Sequence, residues 1–184
     1  MGVMCISQIA KINPESYFVD TNIWINCFFH PMKQPIRQTI DKSKKYLNFF
    51  EKITKDGGKI FTSSLCYSEL FSAIEKFYLN KFKMDFNLDK CNLKSYRRHE
   101  IYSQDRGEIM SDVDLVWTEL SDYAEILAFT FDNKISLSKT LKSNFLLDAH
   151  DAVYLEIMFM NNIRNIISED SDFNKIGNID VYHV

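Results

Sequence analysis

Six acidic residues are positioned for metal chemistry, because each lies at or beside a predicted strand end or helix start. They are Asp20, Glu69, Asp148, Asp151, Asp170 and Asp172. Carboxylates held close together repel one another, and their pKa values rise unless a cation neutralises them. A cluster of hard oxygen ligands without Cys or His favours Mg²⁺ or Mn²⁺. Such an ion can promote the attack of water on a phosphodiester, with no Ser or Cys nucleophile.

A second interpretation of the same acids is structural. An Asp at a strand end or helix start often caps the helix that follows it. Asp148 and Asp151 can both be helix-start acids that answer the helix dipole, and Asp172 can cap a turn. Composition and spacing by themselves leave a metal site and a set of caps open.

Strands alternate with helices along the chain, which predicts a parallel sheet with helices on both faces. Strands are predicted at 17–19, 59–62, 163–167 and 179–184, and helices near 36–55, after Ser63 or Ser64, and near 149–160. Gly57-Gly58 is expected to end the first of these helices. Thr21-Asn22 can cap a helix that begins there, and Ser63 or Ser64 can cap the helix that follows them. The carboxyl ends of parallel strands carry the site in such sheets, so the acids that follow strands are expected at one edge.

Residues 84–145 are predicted to be mostly helical. Apolar residues recur there at intervals of three to four, and they are Val113, Val116, Leu120, Tyr123, Leu127 and Phe131. Ser111 with Asp114 resembles a capping box. This helical insertion can be a substrate or partner surface, or simply a helical hairpin.

The bulk composition bounds the class of protein. The 184 residues, 46% hydrophobic and 26% charged, predict one soluble globular domain over residues 1–184. Four scattered cysteines without a CxxC pair predict reduced, mostly packed thiols rather than a zinc site. The sequence shows no apolar run long enough for a bilayer and no secretory signal, so we expect a cytoplasmic protein.

Charge is unevenly distributed along the chain. The net charge of −3 argues against a protein that coats nucleic acid nonspecifically, although an acidic metal site itself lowers the total. Residues 76–106, which we call the basic segment, hold eight bases and four acids, a balance of +4. The bases are Lys76, Lys81, Lys83, Lys90, Lys94, Arg97, Arg98 and Arg106. The segment can hold a phosphate backbone or be an ordinary solvated helical face, and the sequence leaves both open.

Four stretches of the chain resemble, in order, the motifs of the PIN domain family. They are Phe18-Val-Asp-Thr-Asn-Ile-Trp-Ile25, Ser68-Glu-Leu70, His150-Asp-Ala-Val-Tyr154 and Ile166-Ile-Ser-Glu-Asp-Ser-Asp-Phe173. Each stretch is weak alone, but the ordered set covers nearly the whole chain. The resemblance implies a three-layer α/β/α fold with a central parallel sheet, here with the helical insertion between about 84 and 145.

The resemblance also assigns roles to individual residues. It implies an acidic triad of Asp20, Glu69 and Asp151, with Asp170 as the fourth acid. Asn22 and Ser168 match the polar positions that orient the cluster by hydrogen bonds. Asp172 matches a secondary acidic position, and Asp148 stays a candidate ligand for a second metal ion. His150 is expected to be structural or exposed rather than a ligand.

Many small PIN proteins resemble the VapC toxins of toxin–antitoxin pairs, which implies an endoribonuclease that depends on Mg²⁺ or Mn²⁺. The partners expected from this resemblance are an RNA substrate (tRNA, rRNA or mRNA), an antitoxin protein and a second copy in a homodimer, with no membrane. Glu69 and Asp151 are 82 residues apart (151 minus 69), more than compact toxins carry. The alternatives are a PIN nuclease in RNA processing or defence without an antitoxin, and a non-catalytic nucleic-acid-binding module.

Overall fold

A computed structural model describes residues 2–9, 12–129 and 147–184. Within these ranges six strands form one sheet, in the order β1-β6-β5-β2-β3-β4. The strands are β1 (Val3–Cys5), β2 (Ser16–Val19), β3 (Lys59–Ser63), β4 (Glu125–Leu127), β5 (Asn165–Ile167) and β6 (Asp180–His183). Every neighbouring pair in the sheet is parallel, which confirms the predicted parallel sheet.

Helices connect the strands. They are α1 (Thr21–Trp24), α2 (His30–Lys33), α3 (Arg37–Lys55), α4 (Cys66–Phe86), α5 (Leu93–Tyr96), α6 (Ile101–Ser121) and α7 (Ala149–Met160). A π-helical turn (Ile25–Phe29) joins α1 to α2, and short 3₁₀ helices lie at Ile6–Gln8 and Ser171–Lys175. Among the residues given above, no helix combines the length and the apolar character that a membrane crossing needs.

Two hydrophobic cores lie on opposite faces of the sheet, as the alternation of side chains along β2 shows. Tyr17 and Val19 belong to a core built largely from α3, α4 and α6, whereas Phe18 belongs to a second core with the apolar residues of α7. Helices therefore cover both faces, which confirms the three-layer α/β/α arrangement.

The turn between α3 and β3 depends on two glycines, as predicted. Gly57 has a φ of +85°, which a glycine adopts without steric cost. A Cβ on Gly58 would lie 2.8 Å from Ile53 Cγ2 and 2.9 Å from the Glu15 carbonyl oxygen. The chain therefore turns tightly under the end of α3 and enters β3 next to β2.

The helical insertion differs from the prediction in its boundaries. The helix begins at Ile101 and ends at Ser121, so Ser111 lies mid-helix and the predicted capping box is wrong. Leu127 is not helical, because it lies in β4 and pairs with Ser63 of β3. Strand pairing with a distant segment here outweighs the local helical spacing. Phe131 and the predicted helical stretch 130–145 lie outside the described residues.

The predicted caps of α1 and α4 are also wrong. The residue before α1 is Asp20, and no side chain caps that helix, because Thr21 and Asn22 make other contacts. α4 begins at Cys66 without a side-chain cap, while Ser63 Oγ accepts a hydrogen bond from the Leu65 backbone N–H at 3.1 Å.

All four cysteines are free thiols. Cys27 and Cys66 are buried, and burial raises the pKa of each above its usual value. Cys5 and Cys91 are half-buried.

Candidate metal centre

The predicted acids come together because β2, β3 and β5 are adjacent and parallel, so their carboxyl ends meet at one edge of the sheet. Asp20 follows β2, and its backbone N–H donates to the Ile167 carbonyl at the end of β5 at 3.1 Å. Glu69 lies in the first turn of α4, which follows β3. Asp151 lies in the first turn of α7.

Asp20 is buried and held by two neutral donors. Ser168 Oγ donates to Asp20 Oδ2 at 2.6 Å, and Asn22 Nδ2 donates to the same oxygen at 2.5 Å. Asn22 Nδ2 also lies 3.3 Å from Ser168 Oγ. The structure thus places Asn22 and Ser168 around one carboxylate oxygen of Asp20, and these bonds fix its orientation.

Glu69 is held in the same manner by two hydroxyls that the sequence analysis did not select. Thr21 Oγ1 donates to Glu69 Oε2 at 2.5 Å, and the Tyr154 hydroxyl donates to the same oxygen. The two hydroxyl oxygens lie 2.7 Å apart. Tyr154 comes three residues after Asp151, and this spacing on a helix is the signal that could have found it.

Asp148 and Asp151 have different positions at the start of α7. Asp148 is exposed and caps the helix, because its Oδ1 accepts the backbone N–H groups of His150 at 2.8 Å and Asp151 at 3.0 Å. Asp151 is partly buried in the first helical turn. His150 is exposed, and its Nδ1 lies 3.8 Å from Glu69 Oε1.

Three acids, Glu169, Asp170 and Asp172, lie in the segment after β5. The Asp170 N–H donates to Ser168 Oγ at 2.9 Å, and Asp170 Oδ1 accepts the Asp172 N–H at 2.8 Å. Asp170 therefore caps the 3₁₀ helix that contains Asp172. Glu169 instead forms an ion pair with Lys42 of α3, with 3.2 Å between Nζ and Oε2.

The carboxylates of this edge influence one another electrostatically. Burial raises the pKa of Asp20 to about 7. The charge of Glu69 also raises this pKa, whereas the hydrogen bond from Ser168 lowers it. Burial likewise raises the pKa of Asp151 to about 7, with further contributions from Asp148, Asp20 and Asp170. Asp20, Glu69, Asp151, Asp170 and Asp148 thus form one electrostatically coupled group, and Asp172 is not among the main causes of these shifts.

The donor chemistry of this group fits a hard divalent cation, because the coupled ligating atoms are carboxylate oxygens. In the part of the chain that the structure describes, no group of three Asp, Glu, His or Cys side chains is arranged so that it could hold a metal ion as it stands. The acids repel one another without enclosing a coordination shell. An ion held here would therefore need water among its ligands, as Mg²⁺ commonly does.

Comparison with known proteins agrees with this architecture. A family model described as PIN domain matches residues 17–179. In fold, the chain is similar to a chain in the crystal structure of VapBC2 from Rickettsia felis bound to a DNA fragment from their promoter, with a TM-score of 0.52 and 15% identity. That match covers 91% of this chain and 98% of the other. A search of curated proteins found no match. The family model spans most of the sequence and confirms the resemblance of the four motifs, so the chain belongs to the PIN domain family.

Proposed function

We propose that this protein is an endoribonuclease that hydrolyses RNA phosphodiester bonds with the help of Mg²⁺ or Mn²⁺. PIN domains are usually nucleases. The observation that carries the proposal is the uncompensated charge of Asp20 and Asp151, whose pKa values rise to about 7. No Lys or Arg of the described residues forms an ion pair with either carboxylate. A cluster that its own chain does not neutralise is expected to take up a cation from solution.

The proposed ligands are the acids of the coupled group. They are Asp20, Glu69, Asp151 and Asp170, with Asp172 and Asp148 as further candidates. When bound, the divalent ion supplies positive charge against the phosphate oxygens and makes water in the site more acidic. Asp148 Oδ1 and Asp170 Oδ1 already accept backbone hydrogen bonds, so each of these residues has its other carboxylate oxygen free of them.

The surrounding side chains hold the carboxylates in place. Ser168 and Asn22 both bond to Asp20 Oδ2, and the backbone N–H groups of Thr21 and Asn22 also bond to this carboxylate. Thr21 and Tyr154 both bond to Glu69 Oε2, and Oε1 faces His150 Nδ1 at 3.8 Å. Carboxylates that are already oriented lose little conformational freedom when a ligand binds. We therefore assign Asn22, Ser168, Thr21 and Tyr154 as positioning residues.

The nucleophile in this proposal is water. The hydroxyl of Ser168 is committed to Asp20, and Cys66 is buried with its pKa raised, so neither side chain is suited to attack phosphorus. Direct attack by water needs no covalent intermediate on the protein. The expected product is an RNA chain cut at one internal phosphodiester.

We further propose that the protein is the toxin of a toxin–antitoxin pair, acting on tRNA, rRNA or mRNA, with an antitoxin partner and a homodimeric form. The similarity in fold to a chain of a VapBC2 complex supports this role. A short neighbouring reading frame that encodes a DNA-binding start and a disordered tail would favour it. Without such a frame, a PIN nuclease in RNA processing or defence is favoured.

Sequencing of RNA ends tests both activity and substrate. RNA is isolated after induction of the wild type or of Asp20→Asn, and new ends that appear only with the wild type are expected at a limited set of sites. The enzymatic proposal is overturned if purified wild type, freed of any antitoxin, cuts no RNA in a total RNA pool with Mg²⁺ or Mn²⁺. That result would leave a non-catalytic nucleic-acid-binding module.

A further inference from the structure

Two stretches of the chain are basic, and they differ in how many of their bases form ion pairs. Residues 33–59 hold eight bases and three acids, and the basic segment 76–106 holds eight bases and four acids. By charge count alone the two stretches are nearly equal. The difference between them lies in what their side chains contact.

Half of the bases of residues 33–59 form ion pairs with acids of the protein. Four of them form ion pairs, namely Lys33–Asp112 at 2.8 Å, Arg37–Asp41 at 3.5 Å, Lys42–Glu169 at 3.2 Å and Lys59–Glu125 at 3.1 Å. A fifth, Lys52, donates to the Ile9 carbonyl at 2.7 Å. Lys44, Lys45 and Lys55 are exposed and form no ion pair within the described ranges.

The basic segment shows the opposite pattern. Arg97 pairs with buried Glu75 at 2.5 Å, and none of the other seven bases forms an ion pair with any residue that the structure describes. Six of these seven are exposed, namely Lys76, Lys81, Lys90, Lys94, Arg98 and Arg106. Exposed bases without acidic partners are available to neutralise phosphates, with release of the counterions of the nucleic acid.

Exposed apolar side chains lie among these bases. Met84 is 72% exposed, Phe86 is 49% exposed and Leu88 is 41% exposed. The Phe86 ring lies 4.9 Å from the Phe82 ring and 6.2 Å from the ring of exposed His99, between centroids. An exposed aromatic ring in a segment with unpaired Lys and Arg residues is typical of surfaces for single-stranded nucleic acid, because nucleobases stack on the ring while phosphates meet the positive charges.

We propose that the basic segment is a docking surface for single-stranded RNA, with Phe86 as a stacking platform and the exposed lysines as phosphate contacts. The inference rests on the proposed function, because it names the surface that brings the same RNA to the acidic centre. An acidic centre repels RNA until a cation is bound, so attraction must come from elsewhere on the protein.

The distance along α4 sets the length of RNA that can use both sites. Phe86 follows Glu69 by 17 residues on this helix (86 minus 69), which is about 25 Å at 1.5 Å per residue. A stacked strand needs roughly seven nucleotides to span that distance at about 3.4 Å each. Cleavage of oligonucleotides shorter than this is expected to be insensitive to substitutions in the basic segment.

The test compares two triple variants with the same change in charge. Lys81→Gln/Lys90→Gln/Lys94→Gln removes three bases of the basic segment, and Lys44→Gln/Lys45→Gln/Lys55→Gln removes three exposed bases of α3. Both are made in the full chain carrying Asp20→Asn, which blocks turnover. Binding of a labelled single-stranded RNA of about 20 nucleotides is measured by fluorescence anisotropy over a range of KCl concentrations.

The basic-segment variant is expected to lower the slope of log K against log salt by about 2, because each phosphate contact on a single strand contributes about 0.7. At roughly 0.1 M salt this is about a hundredfold weaker binding. The α3 variant is expected to keep the slope of the parent. Phe86→Leu, which keeps an apolar side chain on Phe82, is expected to weaken binding about fivefold or more with little change in slope.

Equal losses in the two triple variants would indicate a general charge effect and overturn the proposal, as would unchanged RNA binding by the basic-segment variant. Duplex DNA that binds as tightly as the RNA, with no effect of Phe86→Leu, would overturn the single-strand assignment. The proposed function is scored separately by cleavage with Mg²⁺. A protein that cuts RNA but binds it independently of the basic segment contradicts only the docking surface, whereas one that binds as expected and never cuts contradicts only the nuclease.

Discussion

Asp20 and Glu75 are both buried carboxylates, yet their surroundings shift their pKa values in opposite directions. Glu75 is 0% exposed and receives Arg97 Nε at 2.7 Å and the Tyr102 hydroxyl at 2.6 Å. Burial by itself raises the pKa of Glu75, but the bonds from Arg97 and Tyr102 outweigh it and hold the pKa below its ordinary value. Asp20 receives only neutral donors, and its pKa rises to about 7.

This difference separates Glu75, an acid that serves the fold, from Asp20, for which we propose a role as a metal ligand. Glu75 connects α4 to Arg97 and α6, and the chain supplies the cation that neutralises it. Asp112 of α6 is compensated in the same way by Lys33 at 2.8 Å. At the carboxyl edge of the sheet, Asp20 and Glu69 instead receive hydrogen bonds from hydroxyls and an amide. A buried acid without an internal cation is therefore the more informative sign of a binding site.

Neutralisation of Asp20 is expected to have the largest effect. We expect Asp20→Asn to lower the single-turnover rate of RNA cleavage about a thousandfold or more, since the loss of a ligand removes several kcal/mol of stabilisation of the transition state. The melting temperature in metal-free buffer should stay the same or rise, because the uncompensated charge is gone. A large fall in melting temperature would mean that Asp20 serves the fold as Glu75 does.

The second prediction concerns the cation itself. Mg²⁺ at a hundredfold excess over its dissociation constant should stabilise the wild type by about 2.7 kcal/mol, and Asp20→Asn clearly less. EDTA should stop cleavage, and zinc should substitute poorly. Calorimetry measures the stabilisation and a cleavage assay measures the activity. Full activity in EDTA would contradict the role of the acidic cluster as a metal centre.

Removal of the charge of Glu75, the internally compensated acid, tests its role in the stability of the fold. Glu75→Gln should lower the free energy of unfolding by about 2 kcal/mol, because hydrogen bonds to a charged group are lost. The loss is limited because the Arg97 side chain is 49% exposed and can return to water. Urea unfolding at neutral pH measures the effect, and Mg²⁺ should stabilise this variant as it stabilises the wild type.

The loss of stability in Glu75→Gln is expected to depend on pH. The folded state holds the pKa of Glu75 below the unfolded value of about 4.5, so its contribution to stability is present above that pH. The contribution is lost as the pH falls through the folded pKa, where the carboxyl is protonated in both states. The stability gap between wild type and Glu75→Gln should therefore close in acid, and a gap that widens would contradict the assignment.

The smallest expected effect concerns the orientation of Glu69. Tyr154→Phe keeps the ring that packs 5.1 Å from Phe18 but removes the hydroxyl that donates to Glu69. We expect about a tenfold fall in cleavage, which is about 1.4 kcal/mol, together with a higher Mg²⁺ concentration for half-maximal rate. Tyr67→Phe is the control, because its hydroxyl on the same helix as Glu69 donates to Asp114 instead. A shift in Mg²⁺ requirement with both variants would mean that the effect is not specific to Glu69.

Much of the fold follows from local sequence patterns, and the exceptions have a common cause. The strands before Asp20 and Ser168 are short apolar runs, and Gly57-Gly58 marks the end of α3 by its backbone freedom. β1 and β4 were not predicted, because each is a short strand at an edge of the sheet and lacks the fully buried apolar run of β5. Val3 pairs with Val181, far along the chain, which no local periodicity can reveal.

The site shows the same division. The acids could be selected by type and position, but neither shows that Thr21 and Tyr154 share Glu69 as their acceptor. Thr21 looked like a helix cap, and only the packing of α1, α4 and α7 directs its hydroxyl to Glu69 together with that of Tyr154. The sequence shows that Thr21 and Tyr154 each carry a hydroxyl. Only the folded chain shows that both hydroxyls bond to the same oxygen of Glu69.

The pairing of β2 with β5 joins residues synthesised far apart in time. Tyr17 pairs with Asn165, and Ser168 reaches back to Asp20, across 148 positions of the sequence. Contacts of such high sequence separation form late in folding, because the loop between them must close first. While a ribosome makes this chain, Asp20 emerges long before the segment that orients it. A nascent chain therefore has no assembled centre, and any nuclease activity begins only once the strand bearing Ser168 has been released and docked.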